Sequence, residues 1–159
     1  MARVKKLSTM FISIMVLSAI ILAAGALSPD ATPARAAQSS ASCTTSKARY
    51  DRVGTHKIYV PMTSASSRNC LLGQGNQSTA VAMLQLALNG PTSGGCYGRS
   101  IAPDGVFGPL TKGALKWVQE HKLNMTGRAV DGVYGVNTHN AMKFSDDPFG
   151  AHCYLDGLI

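Results

Sequence analysis

Residues 10 to 27 run without a charge through Phe11, Ile12, Ile14, Met15, Val16, Leu17, Ile20, Ile21 and Leu22, behind a start that carries Arg3, Lys5 and Lys6. A basic start followed by an apolar core is the pattern of an export signal, and Ala34 and Ala36, on either side of Arg35, place small residues at −3 and −1, where signal peptidase accepts them. Residues 1–36 are therefore expected to be a signal peptide cleaved before Ala37. An uncleaved anchor is the rival, because 18 apolar residues approach the ~20 needed to span a bilayer. Further along, residues 48–53 and 57–61 are rich in Tyr, Val and Ile around Gly54, Thr55 and His56, which predicts a hairpin. From Ser78 to Leu88 the apolar positions Val81, Leu84 and Leu88, with Ala80, Met83 and Ala87, recur at helical spacing, and Asn76 or Ser78 can cap the first turn. A second stripe, Leu110, Ala114, Trp117, Val118 and His121, predicts a helix that begins at Pro109. A third, shorter helix is expected from about Asn137 to Phe144.

The expected organisation is then a flexible start and hairpin appendage over residues 37–69, a helical domain over 70–145, and a C-terminal tail over 146–159 tied by Cys153. Of the 159 residues, fifteen are Lys or Arg and eight Asp or Glu. Removing the signal leaves eleven against seven, a net charge of +4. That is enough for loose attraction to anionic surfaces such as cell-wall polymers, and too dispersed for a nucleic-acid tract.

Cys43, Cys70, Cys96 and Cys153 all lie beyond the signal, with 26, 25 and 56 residues between them. An even count outside the cytoplasm reads as two disulfides; a zinc site would want close ligand pairs, so no metal and no cofactor are expected. Three pairings are possible. The preferred one joins Cys70 to Cys96 across the first helix and Cys43 to Cys153 across the ends of the domain.

An internal repeat carries most of the functional information. Residues 104–117 align with residues 131–144 at an offset of 27, and seven of the fourteen positions are identical. In each copy Asp and Gly make a tight turn, an apolar pair follows (Val106 and Phe107, Val133 and Tyr134), and Gly108 or Gly135 leads into a helix that carries Thr111 or Thr138. Together with Leu84, Gln85, Leu88 and Asn89 in the first helix and Gln119 late in the second, this doubled Asp-Gly-x-x-Gly-x-x-Thr pattern resembles the peptidoglycan-binding domain of the three-helix type. The likeness covers about residues 70–145 and is greatest to small secreted actinobacterial versions, which also carry the Cys96, Tyr97, Gly98 triplet. One departure is the seven-residue stretch 124–130 between Leu123 and Asp131.

The resemblance implies a mainly α fold, a three-helix bundle built on the two turn-helix repeats with a short β-hairpin appendage, and non-catalytic binding of peptidoglycan through its peptide stems. Glycine-rich turns that feed helix N-termini can present N–H groups to an anion. The candidate ligand-binding residues are Asp104, Gly105, Phe107, Gly108 and Lys112 in the first copy, and Asp131, Gly132, Tyr134, Gly135 and Thr138 in the second. Tyr97 is a further candidate wall. No HExxH or GxSxG occurs beyond the signal, His56, His121, His139 and His152 stand singly, and Asp146 and Asp147 precede Pro148 as a solvated turn. Residues 38–69 are too few for a catalytic domain, so no enzyme activity is expected. The expected protein is a secreted, wall-associated monomer without a stable membrane anchor or nucleic-acid partner, and a cell-wall hydrolase is a second candidate partner. The rival reading is a reused scaffold that binds a protein as an inhibitor, toxin or accessory subunit.

Overall fold

The computed structural model describes residues 41–146 and 152–157. The expected signal peptide and the turn at Asp147 and Pro148 lie outside them. Among the described residues the chain forms β1 (Ala41–Ser42), β2 (Thr45–Tyr50), β3 (Lys57–Met62), β4 (Cys70–Leu71), α1 (Thr79–Leu88), α2 (Pro109–His121), α3 (Val136–Ala141), β5 (Lys143–Ser145) and β6 (Cys153–Leu155). Short 3₁₀ turns at Pro91–Ser93 and Gly127–Ala129 interrupt the loops.

The first two helices lie where the apolar spacing predicts them, but the buried face of α2 is Thr111, Ala114, Leu115, Val118 and Gln119, while Leu110 and His121 of the expected stripe are exposed. Ser78 caps α1 by accepting from the Val81 N–H at 3.3 Å, and Ala80, Val81, Leu84, Ala87 and Leu88 are buried. Asn89 ends the helix, and its side chain exchanges two hydrogen bonds with the backbone of Ile101, at 2.9 and 2.8 Å. Pro109 opens α2, where its missing N–H costs nothing. The third helix is shorter than expected and stops at Ala141. Phe144 lies instead in β5, paired antiparallel with Tyr154 of β6. The C-terminal tail is thus a sheet strand, and its partner fixes residues 143–145 in extended form.

The hairpin also differs from a peripheral addition. β2 and β3 pair antiparallel from Thr45 with Met62 to Tyr50 with Lys57. Ile58, Val60 and Met62 point inward and are fully buried with Leu84, Leu88, Leu115 and Phe144 in one core. Each such side chain contributes about 1.5–3 kcal/mol by leaving water, so the hairpin supplies core that the helices need.

The disulfides join Cys43 to Cys70 and Cys96 to Cys153, which overturns the expected pairing. The reason lies in the length of α1. Ten residues at about 1.5 Å each separate its ends by ~15 Å, whereas bridged Cα atoms must lie within about 7 Å. Cys43 and Cys70 sit at the N-terminal end, where Ser78 donates to the Cys43 carbonyl and β1 runs parallel to β4. Cys96 lies at the other end, its N–H bonded to the Ala87 carbonyl at 2.8 Å, beside Cys153.

Candidate functional site

The two Asp-Gly turns are held in the same way. In the first, Gln85 Nε2 donates to Asp104 Oδ1 at 2.8 Å, to the Val106 carbonyl at 3.0 Å and to Thr111 Oγ1 at 3.0 Å. Its Oε1 accepts from the Gly105 N–H at 2.8 Å. In the second, Gln119 Nε2 donates to Asp131 Oδ1 at 3.0 Å, the Val133 carbonyl at 3.0 Å and Thr138 Oγ1 at 3.1 Å, and Oε1 accepts from Gly132 at 2.8 Å. Each Asp also accepts from the N–H two residues on, at 2.9 and 2.8 Å. The Val106 N–H and the Gln85 amide hold the Asp104 carboxyl below its ordinary range, against a smaller opposing effect of burial. Gly105 and Gly132 adopt φ of +76° and +71°, which an L side chain resists.

This clamp changes what the candidate residues do. The N–H groups of Gly105, Val106, Gly132 and Val133 are bonded within the protein and are not presented to a ligand. Phe107 and Tyr134 are buried in the core rather than forming walls, and Thr111 and Thr138 are buried with their hydroxyls engaged. Tyr97 is likewise mostly buried, and its hydroxyl accepts from the Lys143 N–H at 2.6 Å. Burial pushes that hydroxyl up to about 12. Lys112 lays its stem along the second turn, where a Cβ on Gly132 would stand 2.8 Å from Lys112 Cγ. Gly108 caps α2 without a side-chain bond.

A buried chain of polar groups backs the second turn. The Tyr134 hydroxyl lies 2.5 Å from His139 Nδ1, and His139 Nε2 lies 2.9 Å from Asp156 Oδ2. A carboxylate only accepts, so Nε2 carries the proton. Asp156 also receives Arg49 Nε at 3.3 Å and Arg68 Nη1 at 3.2 Å, and both arginines donate to the Gly157 carbonyl. Burial opposes the Asp156 charge, yet the His139 and Arg49 contacts prevail and hold its carboxyl below the ordinary range. Burial first, then the Asp156 charge, push the Tyr134 hydroxyl well up. Nothing in the spacing of His139 marked it as a core residue; the signal was absent because its partner Asp156 lies in the tail.

Beside the second turn an open cleft of about 350 Å³ remains, of a size that small ligands occupy. Leu71, Met125, Val133 and Val136 form its apolar lining, with Arg128 and Asp131 as its charged groups. Asp131, Gly135 and Thr138 are the candidates that line it; Asp104, Gly105, Phe107, Gly108, Lys112, Gly132 and Tyr134 do not. Arg128 comes from the stretch 124–130 that departs from the family pattern, within the 3₁₀ turn at Gly127–Ala129.

Residues 77–142 match the family described as "Putative peptidoglycan binding domain". The match supports a peptidoglycan-binding domain over these residues. No curated protein matches the chain. The two glutamine clamps and both repeat turns fall inside the matched residues, whereas the hairpin and the tail with Asp156 fall outside. A peptidoglycan-binding domain with two disulfides is consistent with an extracellular location. Among the described residues no helix is long and apolar enough to cross a membrane, and no group of three or more His, Cys, Asp or Glu is placed to hold a metal ion.

Proposed function

We propose that the protein is an exported, non-catalytic peptidoglycan-binding protein that takes peptide stems in the cleft beside the second turn. The observation that carries this reading is the coincidence of the family match with an open cleft that has an apolar lining and two opposite charges. Peptide stems offer a terminal carboxylate, methyl side chains and, where a diamino acid is free, an ammonium group. Arg128 is exposed and has no ion-pair partner among the described residues, so its guanidinium can take the carboxylate in a charge-assisted pair. Asp131 spends Oδ1 on Gln119 and Val133, and its second oxygen remains for a cation. Leu71 and Val136 would cover the methyl groups. The turns thus act as scaffolds that aim this cleft, and their bonded amides are not the ligand donors.

The test is sedimentation with purified insoluble peptidoglycan. The wild-type protein is expected in the pellet, and Arg128→Ala is expected to weaken retention several-fold without a change in folding. The rival reading, a scaffold that binds a protein, draws on the hairpin tip, where Tyr50 is 62% and Val53 81% exposed. Failure of the wild-type protein to sediment would favour it.

A further inference from the structure

Away from that cleft, two cations lie against Trp117. Arg99 lies over its ring, Cζ 4.6 Å from the centroid, and Lys122 Nζ is 5.5 Å from the same centroid. His121 stacks parallel to the ring at 4.9 Å. Lys122 and Lys143 line an open cleft of about 380 Å³ together with Tyr97, Gly98 and Leu123, and among the described residues no carboxylate lines it. Among the described residues no carboxylate pairs with Arg99, Lys122 or Lys143; Glu120, the acid on α2, faces His121 at 3.7 Å. Arg99 Nε is shut off from solvent and has no hydrogen-bond partner among the described residues.

Two cations that line one cleft, with Arg99 beside Lys122 on the Trp117 ring, repel one another unless an anion joins them, and a cleft with low-dielectric walls concentrates their field. Stacking on Trp117 restrains the Arg99 guanidinium, so less side-chain freedom is lost when its fork meets an oxyanion. The Lys143 backbone is likewise fixed by its bond to the Tyr97 hydroxyl. We propose that this cleft binds the phosphates of a phosphodiester polymer, with Arg99, Lys122 and Lys143 as the contacts and Leu123 beneath the carbon backbone. Phosphate suits the set because its charge is spread over several oxygens that a fork and two ammonium groups can share. An open cleft with spaced cations suits a repeating chain, where neighbouring charges engage together. The protein would then hold two components of one wall, each at its own site.

The experiment titrates the full disulfide-bonded protein with poly(glycerol phosphate) in the absence of peptidoglycan. The wild-type protein is expected to bind at low salt. The double variant Lys122→Ala, Lys143→Ala should bind about tenfold more weakly, and its salt slope should fall by about two, since each lost phosphate contact removes about one released counterion. Both lysines are exposed, so the melting temperature should hold. Lys57→Ala, which removes an exposed charge from the hairpin, should leave binding unchanged. Absence of wild-type binding, or equal binding by the double variant, overturns the proposal. Glycerol phosphate at the same phosphate concentration should compete poorly; equal competition would assign the cleft to free phosphate and overturn the polymer. Peptidoglycan stripped of phosphate polymers tests the stem-peptide reading alone, so the two can fail separately.

Discussion

The side-chain amide of Gln119 donates to the Asp131 carboxylate at 3.0 Å, while its carbonyl oxygen takes the N–H of the next residue, Gly132, at 2.8 Å. One buried amide therefore closes the turn that borders the cleft. Gln119→Leu keeps the volume and strands the buried Gly132 N–H, and leaves Thr138 Oγ1 with only its bond to the Val133 carbonyl. We expect a loss of about 3 kcal/mol, measured by urea unfolding. Gln85→Leu should cost a similar amount through Gly105 and Asp104, and a loss under about 1 kcal/mol at either position would contradict the clamp.

Tyr134 distinguishes a core role from a ligand role. Its side chain is fully buried and its hydroxyl contacts His139. Tyr134→Ala should cost about 3–5 kcal/mol, and Tyr134→Phe about 1–3 kcal/mol through the unpaired ring nitrogen. Thermal melts check this. A Tyr134→Ala protein that melts like wild type would place the ring at the surface.

Much of this arrangement was legible in the chain, and the exceptions have physical causes. Periodicity locates α1 because its apolar stripe is complete, and Ser78 and Pro109 mark the starts of α1 and α2; the buried face of α2 is less legible, because it includes the polar Thr111 and Gln119 while Leu110 faces solvent. Phe144 reads as a continuation of α3, but its strand partner Tyr154 lies ten residues on, beyond the reach of local pattern. Ile58, Val60 and Met62 alternate in a way that already indicates one buried face; short length alone suggested an appendage. The repeat placed the turns, yet the residue types could not tell a free amide from one taken by Gln85 or Gln119, since those glutamines come from preceding helices. Arg128 belongs to no copy of the repeat, since it sits in the stretch 124–130 between them, and the cysteine pairing requires the geometry of both ends of α1.

The acid response should follow Asp51 and Asp156. Burial opposes the Asp51 charge, but the His56 and Thr55 N–H groups and the His56 ring hold its carboxyl down to about 2. A depressed folded-state value means that stability is fully present above the unfolded value, near 3.8, and is lost as pH falls toward 2. Asp156, also lowered, adds in the same direction. Urea midpoints between pH 5 and pH 2 should fall for wild type and fall less for Asp51→Asn. An identical pH dependence for both would exclude Asp51 as a contributor.

Loss of the Cys96 to Cys153 bridge should free β6 and with it Asp156. Closing a loop with a sequence separation of 57 restricts the unfolded chain by about 4 kcal/mol. Cys96→Ser with Cys153→Ser should lower stability by about that amount and raise amide exchange at His139, whose partner is Asp156. Unchanged exchange there would show that the tail holds its place without the bridge.

The most direct measurement is sedimentation of wild-type and Arg128→Ala protein with purified peptidoglycan, alongside their melting curves. Wild type is expected to pellet with the wall, Arg128→Ala to be released several-fold more readily, and both to melt alike. Equal retention of the two proteins, or wild type left in the supernatant, would contradict the proposed binding.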